Sequence, residues 1–172
     1  KVKSLFVASA SLAHTALIWG LLNVFSSFPT WGISFGITLA LVMGGISLTF
    51  SFVEMRYGWK IIGTLPGLLS PMPRLGVAMV FLFSFALSLP LFAAYIGFRV
   101  MPTIATQDVG ITMASLIFIL VWLGGSWYFI KVLHQTAFGE ARTDIPYSDL
   151  GLKEIASISV LLLVAAYNGV IY

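Results

Sequence analysis

Five long runs of apolar residues, separated by short polar or mixed stretches, organise the whole chain. They cover about residues 4–28, 32–53, 75–101, 110–136 and 153–171. A helix needs about 20 mainly apolar residues to cross the hydrocarbon core of a bilayer, and the backbone groups of such a segment must be paired internally. The pattern therefore predicts an all-α integral membrane protein with about five transmembrane helices, in which residues 1–172 form a single transmembrane helical domain.

The composition strengthens this prediction. Hydrophobic residues make up 59% of the chain and charged residues 9%, and the mean hydropathy is +1.03, whereas soluble domains carry about 25% charged residues. The chain has no cysteine, which excludes disulfides and thiolate metal ligands. The net charge of +3 is small and no basic run is present, so we expect no nucleic-acid partner.

The basic residues predict the orientation of the helices. Eight of the nine Lys and Arg residues lie at the N-terminus, in the 54–74 connection or in the 131–153 stretch, and the ninth is Arg99. Because loops on the inner side of a membrane are enriched in Lys and Arg, the N-terminus is predicted to lie on the cytoplasmic or matrix side.

His14 lies about ten residues into the first apolar run, and Ser11 precedes it by one helical turn. Ionisable residues inside a membrane are functional candidates, and an imidazole with nearby hydroxyls or waters can relay protons. A histidine that only hydrogen-bonds a neighbouring helix is the structural alternative. The residues alone leave both interpretations open.

Four further residues have both structural and functional interpretations. Lys131 and His134 lie one turn apart near the inner end of the fourth run, where such side chains extend toward lipid headgroups. Pro90 falls in the middle of the third run, with Gly97 after it. Proline frees a backbone carbonyl, so this helix is predicted to be interrupted near Pro90, either as a simple kink or as part of a hydrated ion path.

The sequence contains no pattern that is typical of a catalytic site. Near the end of the second run, Glu54 and Arg56 are expected to form a solvated pair. Paired buried carboxylates, a serine triad, a glycine-rich phosphate loop and a cluster of metal ligands are all missing from the sequence. We therefore expect no catalytic centre, no metal and no bound cofactor. At the protein surface we expect a cardiolipin-like lipid.

The order of several short motifs resembles a known family. The opening KVKSLFVASASLAHTAL resembles the Lys-x-Leu-Leu-Ala-Tyr-Ser-Ser-x-x-His signature of the antiporter-like subunits of respiratory complex I, the relatives of Mrp cation/proton antiporters. The stretches EMRYGWKIIGTLPGLLSPMPRLGVAM, SFALSLPLFAAYIGFRV, SWYFIKVLHQTAFGEA and DIPYSDLGLKE are similar to later family motifs, in the same order. Together they span nearly the whole chain.

This resemblance implies a subunit of a proton-pumping NADH:quinone oxidoreductase in a mitochondrial inner or bacterial plasma membrane. The chain corresponds to the C-terminal part of such a subunit, so another membrane subunit is expected to supply the missing N-terminal half and its central lysine. His14, Ser11, Lys3, Lys131 and His134 are the candidate proton-relay residues. The chain itself is expected to bind no NADH.

Two departures from the family pattern keep alternatives open. The Ala-Tyr-Ser-Ser core is replaced by Ala8-Ser9-Ala10-Ser11, and Phe98 stands where the family has a buried charged residue. A non-pumping structural membrane subunit is therefore one alternative, and a subunit of a stand-alone cation/proton antiporter or related transporter is another.

Overall fold

The regular structure is helical throughout the part of the chain that can be described. The computed structural model describes residues 5–12, 15–16, 30–58, 66–87 and 109–171. Within these residues lie four long helices: α1 (Thr30–Tyr57), α2 (Pro73–Ala86), α3 (Val109–Ala137) and α4 (Leu152–Ile171). Residues 5–12 are also helical. The all-α prediction holds over these ranges.

One helical stretch of the described residues, Gly36–Tyr57, is long and apolar enough to cross a membrane by length and composition. Its mean hydropathy is 1.9, and 56% of its most apolar window is buried inside the protein. Helix α2 is shorter, and Pro90, where an interruption is predicted, lies outside the described residues. The structure therefore supports one potential membrane span in the described ranges, where the sequence predicts about five in the whole chain.

Local sequence explains where several helices begin and end. Gly58 follows α1 with a φ of 63°, a left-handed conformation that glycine adopts without a steric penalty, and its N–H donates to the Glu54 carbonyl at 2.8 Å. Pro73 opens α2, where its missing N–H costs nothing because first-turn N–H groups have no partner within the helix. Before α4, the Gly151 N–H donates to Glu154 Oε2 at 2.7 Å, which is half of a capping box.

An aromatic cluster joins the helices in the middle of the bundle. Phe6 is only 1% exposed, and its ring lies 6.0 Å from Phe50 of α1, 6.1 Å from Phe83 of α2 and 5.4 Å from Phe129 of α3. Aromatic pairs at 4.5–7 Å between ring centroids contribute about 0.5–1.5 kcal/mol each beyond the area they bury. The helical residues 5–12 are thus anchored to three helices through one side chain.

The helix ends converge at one end of the bundle. The turn after Gly67 pairs with the last carbonyls of α3, since the Leu68 N–H donates to Thr136 and the Leu69 N–H to Ala137, both at 3.0 Å. Helix α1 packs against α2 and α4, and α2 also contacts α3. The sequence assigns the 54–74 connection and the 131–153 stretch to one side of a membrane, and the described residues of both meet at the same end of the bundle.

Candidate functional site

Several of the predicted relay and helix-break positions fall outside the part of the chain described by the structure. These are Lys3, His14, Pro90 and Gly97. Ser11 is described; it lies in the helical residues 5–12 and is partly exposed. Its backbone carbonyl accepts a hydrogen bond from the Thr15 hydroxyl at 2.8 Å.

Lys131 and His134 lie on the last turns of α3, and both are exposed. The His134 ring lies 6.4 Å from the ring of Phe138, centroid to centroid. Neither side chain forms an ion pair or a hydrogen bond with another described residue. The described geometry does not bring these two residues together with Ser11 into an enclosed polar path.

A different set of residues forms the principal polar cluster of the described structure. We call it the polar clasp, and it comprises Arg56, Tyr57, Arg74, Tyr147, Ser148, Asp149 and Glu154. Arg56, at the end of α1, forms an ion pair with Glu154 of α4, and each side chain is 24% exposed. Arg56 Nη1 also donates to the Ser148 carbonyl at 3.4 Å.

Tyr57 ties the same segment to α1 through its hydroxyl. The Ser148 N–H donates to the Tyr57 oxygen at 2.6 Å, and the two aromatic rings of Tyr57 and Tyr147 lie 5.7 Å apart. Arg56 and Tyr57 are neighbours at the end of one helix, and both form hydrogen bonds with the backbone of Ser148.

Asp149 caps the start of α2. Its Oδ2 accepts from the Arg74 N–H at 3.0 Å, and its Oδ1 accepts from the N–H groups of Leu75 at 3.2 Å and Leu150 at 2.7 Å. A carboxylate is favourable here because the N-terminal end of a helix carries partial positive charge. The Arg74 side chain extends back, and Nη1 donates to the Leu150 carbonyl at 3.3 Å.

A second ion pair, Arg142–Asp144, is more exposed than the pair in the clasp. Arg142 donates through Nε to Asp144 Oδ1 at 2.9 Å, and the two side chains are 47% and 61% exposed. This hydrogen bond lowers the pKa of Asp144 below its usual value and raises the pKa of Arg142.

The chemistry of the clasp is that of attachment between helix ends. Both of its carboxylates accept hydrogen bonds from groups of the clasp or from adjacent backbone. Over the described ranges, no group of three or more His, Cys, Asp or Glu side chains could hold a metal ion. The clasp fastens the ends of α1, α2 and α4 to one segment, residues 147–154.

The sequence predicts a local pair of Glu54 and Arg56, but in the structure Arg56 forms its ion pair with Glu154. Arg56 and Glu154 lie 98 positions apart, and no local sequence pattern predicts a contact between them. A weaker signal was present: Gly151 and Glu154 have the spacing that starts a helix, which places an acidic side chain at the beginning of α4.

Comparison with known proteins adds no relative, because no protein-family model and no curated protein matches the chain. The resemblance to antiporter-like subunits therefore rests on the motifs of the sequence alone.

Proposed function

We propose that this chain is an integral membrane subunit of a proton-pumping NADH:quinone oxidoreductase, where it contributes to proton translocation through the membrane arm. The observation that supports its place in a membrane is a stripe of large apolar side chains on the outer face of α3. Its side chains follow one another at a spacing of three and four residues, and each is at least half exposed. They are Leu116, Leu120, Leu123, Trp127 and Ile130.

Helix α4 carries a similar stripe formed by Val160, Leu163, Val164 and Tyr167, with Leu163 69% exposed. Contiguous apolar patches of this kind are rare on monomeric soluble proteins and mark surfaces that contact membranes or partner proteins. Lipid chains and the helices of neighbouring subunits would both cover them. We infer that α3 and α4 face such surroundings.

The respiratory assignment is supported by the motif order and by one contact between motifs. Arg56 belongs to the EMRYGWK motif and Glu154 to the DIPYSDLGLKE motif, and these residues form an ion pair. Two separate parts of the resemblance thus belong to one physical unit, the polar clasp.

A non-pumping structural subunit is the second candidate, and a specific observation favours it. Lys131 and His134 are exposed on α3, whereas relay residues are expected to line a protected path through the bundle. The two candidates differ in the role of His14.

The membrane and the assembly are tested together by purification of the full chain from its native membrane. We expect it to stay in the membrane fraction after washing with alkaline carbonate, and to co-purify in mild detergent with flavin-containing and iron–sulfur subunits. Release by carbonate would overturn the membrane assignment. Membrane retention without redox subunits would overturn the respiratory assignment and favour a stand-alone cation/proton antiporter.

The proton-translocating role is tested by His14→Ala, with His134→Ala as the matched control. We expect His14→Ala to lower the number of protons moved per NADH oxidised, and His134→Ala to leave it unchanged because that side chain is exposed. Unchanged proton transfer in His14→Ala, with the complex fully assembled, would establish the structural alternative.

A further inference from the structure

An apolar groove runs between α2 and α4 and starts at the polar clasp. We call it the α2–α4 groove; its volume is about 480 Å³. Val77, Ala78 and Phe81 line it from α2, and Ile155, Ile158 and Leu162 line it from α4. Arg74 lies at the end of the groove nearest the clasp, because it occupies the first turn of α2.

Arg74 gives this end of the groove a positive charge. The residue is exposed, and the hydrogen bond to the Leu150 carbonyl engages Nη1, while a guanidinium carries five N–H donors in all. The nearby carboxylate of Asp149 accepts three backbone N–H bonds, which stabilise its charged form and engage both of its oxygens. A phosphate could therefore bind the outer side of the guanidinium, as arginine commonly binds phosphates.

We propose that the α2–α4 groove holds one acyl chain of an anionic phospholipid whose phosphate binds Arg74. The proposal rests on the membrane location in the proposed function and adds a defined site to it. Apart from Arg74 and Ser159, the residues that line the groove are apolar, as an acyl chain requires. Arg74 is placed where a headgroup would meet the chain.

The length of the groove along α2 fits one acyl chain within a single leaflet. From Arg74 to Phe81 the axis of α2 rises by about 10 Å at 1.5 Å per residue. That length covers most of one leaflet of the hydrocarbon core, which is about 15 Å thick.

The headgroup part of the proposal is tested by native mass spectrometry of the purified chain in detergent. Dioleoyl phosphatidylglycerol and dioleoyl phosphatidylcholine, which share the same acyl chains, are added separately. We expect the wild-type chain to retain phosphatidylglycerol preferentially, and Arg74→Gln to reduce that preference about fivefold. The matched control, Arg142→Gln, removes another exposed arginine at this end and should leave the preference unchanged. Equal retention of the two lipids by the wild-type chain would overturn the proposal.

The acyl-chain part is tested by filling the groove. Ser159 lines the groove on α4, whereas Ser157 is exposed on the same helix and is not among the residues that line it. Ser159→Trp should abolish retention of one phosphatidylglycerol molecule, and Ser157→Trp should not. If both variants lose the lipid or neither does, the site is wrong.

A separate readout keeps this test distinct from that of the proposed function. Carbonate-resistant membrane retention is measured for the same variants, and we expect it to be unchanged in all of them. Loss of a co-purifying subunit in Ser159→Trp with full lipid retention would overturn the proposal and assign the groove to a protein partner. Carbonate release of the wild-type chain would overturn the membrane location on which the proposal rests.

Discussion

At the scale of single residues, the ion pair inside the polar clasp and the Arg142–Asp144 pair differ in their access to water. Each side chain of Arg56–Glu154 is 24% exposed, whereas those of Arg142–Asp144 are 47% and 61% exposed. Water and salt weaken the attraction between exposed charges, and surface ion pairs contribute only about 0–1 kcal/mol. The more enclosed pair should therefore contribute more to stability.

A double-mutant cycle with Arg56→Ala and Glu154→Ala measures this difference. We expect a coupling energy of about 1 kcal/mol for this pair, because both side chains are partly withdrawn from water. The same cycle on Arg142 and Asp144 serves as the control and should give a smaller coupling energy, because both side chains are more exposed. The measurement is the free energy of unfolding in a fixed detergent. A coupling energy equal to that of the exposed pair would contradict the expectation.

Asp144 should respond to pH in a defined direction. The hydrogen bond from Arg142 lowers its pKa in the folded protein, so its contribution to stability is present above the pKa of the unfolded chain. That contribution is lost as the pH falls through the lower pKa of the folded state. We expect Arg142→Ala to raise the titration midpoint of the Asp144 carboxyl, measured by NMR. An unchanged midpoint would show that the hydrogen bond is not maintained in solution.

The residue-scale contacts were the hardest part to predict from sequence. Arg56 and Glu154, and likewise Arg74 and Asp149, lie far apart in the chain and meet only because helix ends converge. A sequence pattern reports which residues can be charged at an interface, but the choice of partner depends on the tertiary fold. For this reason the local pair of Glu54 and Arg56 was the natural expectation.

At the scale of secondary-structure elements, the turn before α2 depends on one glycine. Gly67 has a φ of 70°, and a Cβ atom there would lie 2.5 Å from the Gly139 carbonyl oxygen. Gly58 has a similar φ of 63°, but a Cβ atom there would meet nothing within 4 Å. A comparison of the two positions therefore distinguishes the cost of the backbone conformation from the cost of close packing.

Alanine at each position tests this distinction. Gly58→Ala should cost about 1 kcal/mol, which is the penalty for a left-handed conformation in a residue with a side chain. Gly67→Ala should cost about 3 kcal/mol or more, because the clash with backbone adds to the same penalty and separates the turn from the end of α3. Unfolding free energies in detergent measure both. Equal costs would mean that residues 138–141 move aside easily.

The positions of the helices were easier to predict from the sequence than the residues at which the helices begin and end. The apolar run at 32–53 lies inside α1, which continues to Tyr57, and the run at 110–136 lies inside α3. The length of an apolar run is a local property of the sequence. Helix α2, by contrast, begins at Pro73, two residues before the predicted 75–101 segment, with a carboxylate from Asp149 at its first turn. That carboxylate comes from a distant part of the chain.

At the scale of the whole molecule, the exposed apolar stripes of α3 and α4 indicate what kind of environment surrounds the protein. Leu152 and Leu163 are both exposed on α4, 82% and 69% respectively. Leu152 starts the helix beside the clasp, and Leu163 lies about 16 Å further along at 1.5 Å per residue. In a bilayer with a hydrocarbon core of about 30 Å, Leu163 would lie near the centre.

Leucine-to-arginine substitutions at these two positions test the surroundings of α4. A charged residue at the centre of a membrane helix costs about 2.5–3.5 kcal/mol by insertion measurements, so Leu163→Arg should reduce insertion strongly. Leu152→Arg should have little effect, because its side chain reaches the interface. The measurement is the inserted fraction in a membrane insertion assay. Equal insertion of the two variants would contradict the lipid-facing assignment of α4.

The polar clasp also sets an order of events during synthesis. Arg56 leaves the ribosome 98 residues before its partner Glu154, and at about 5–20 residues per second this delay lasts about 5–20 s. During that interval the Arg74 and Leu75 N–H groups lack the carboxylate that later caps them. Until residues 147–154 are synthesised, α1 and α2 therefore lack the contacts of the clasp, and the arrangement of helix ends seen in the structure can be completed only after that segment emerges.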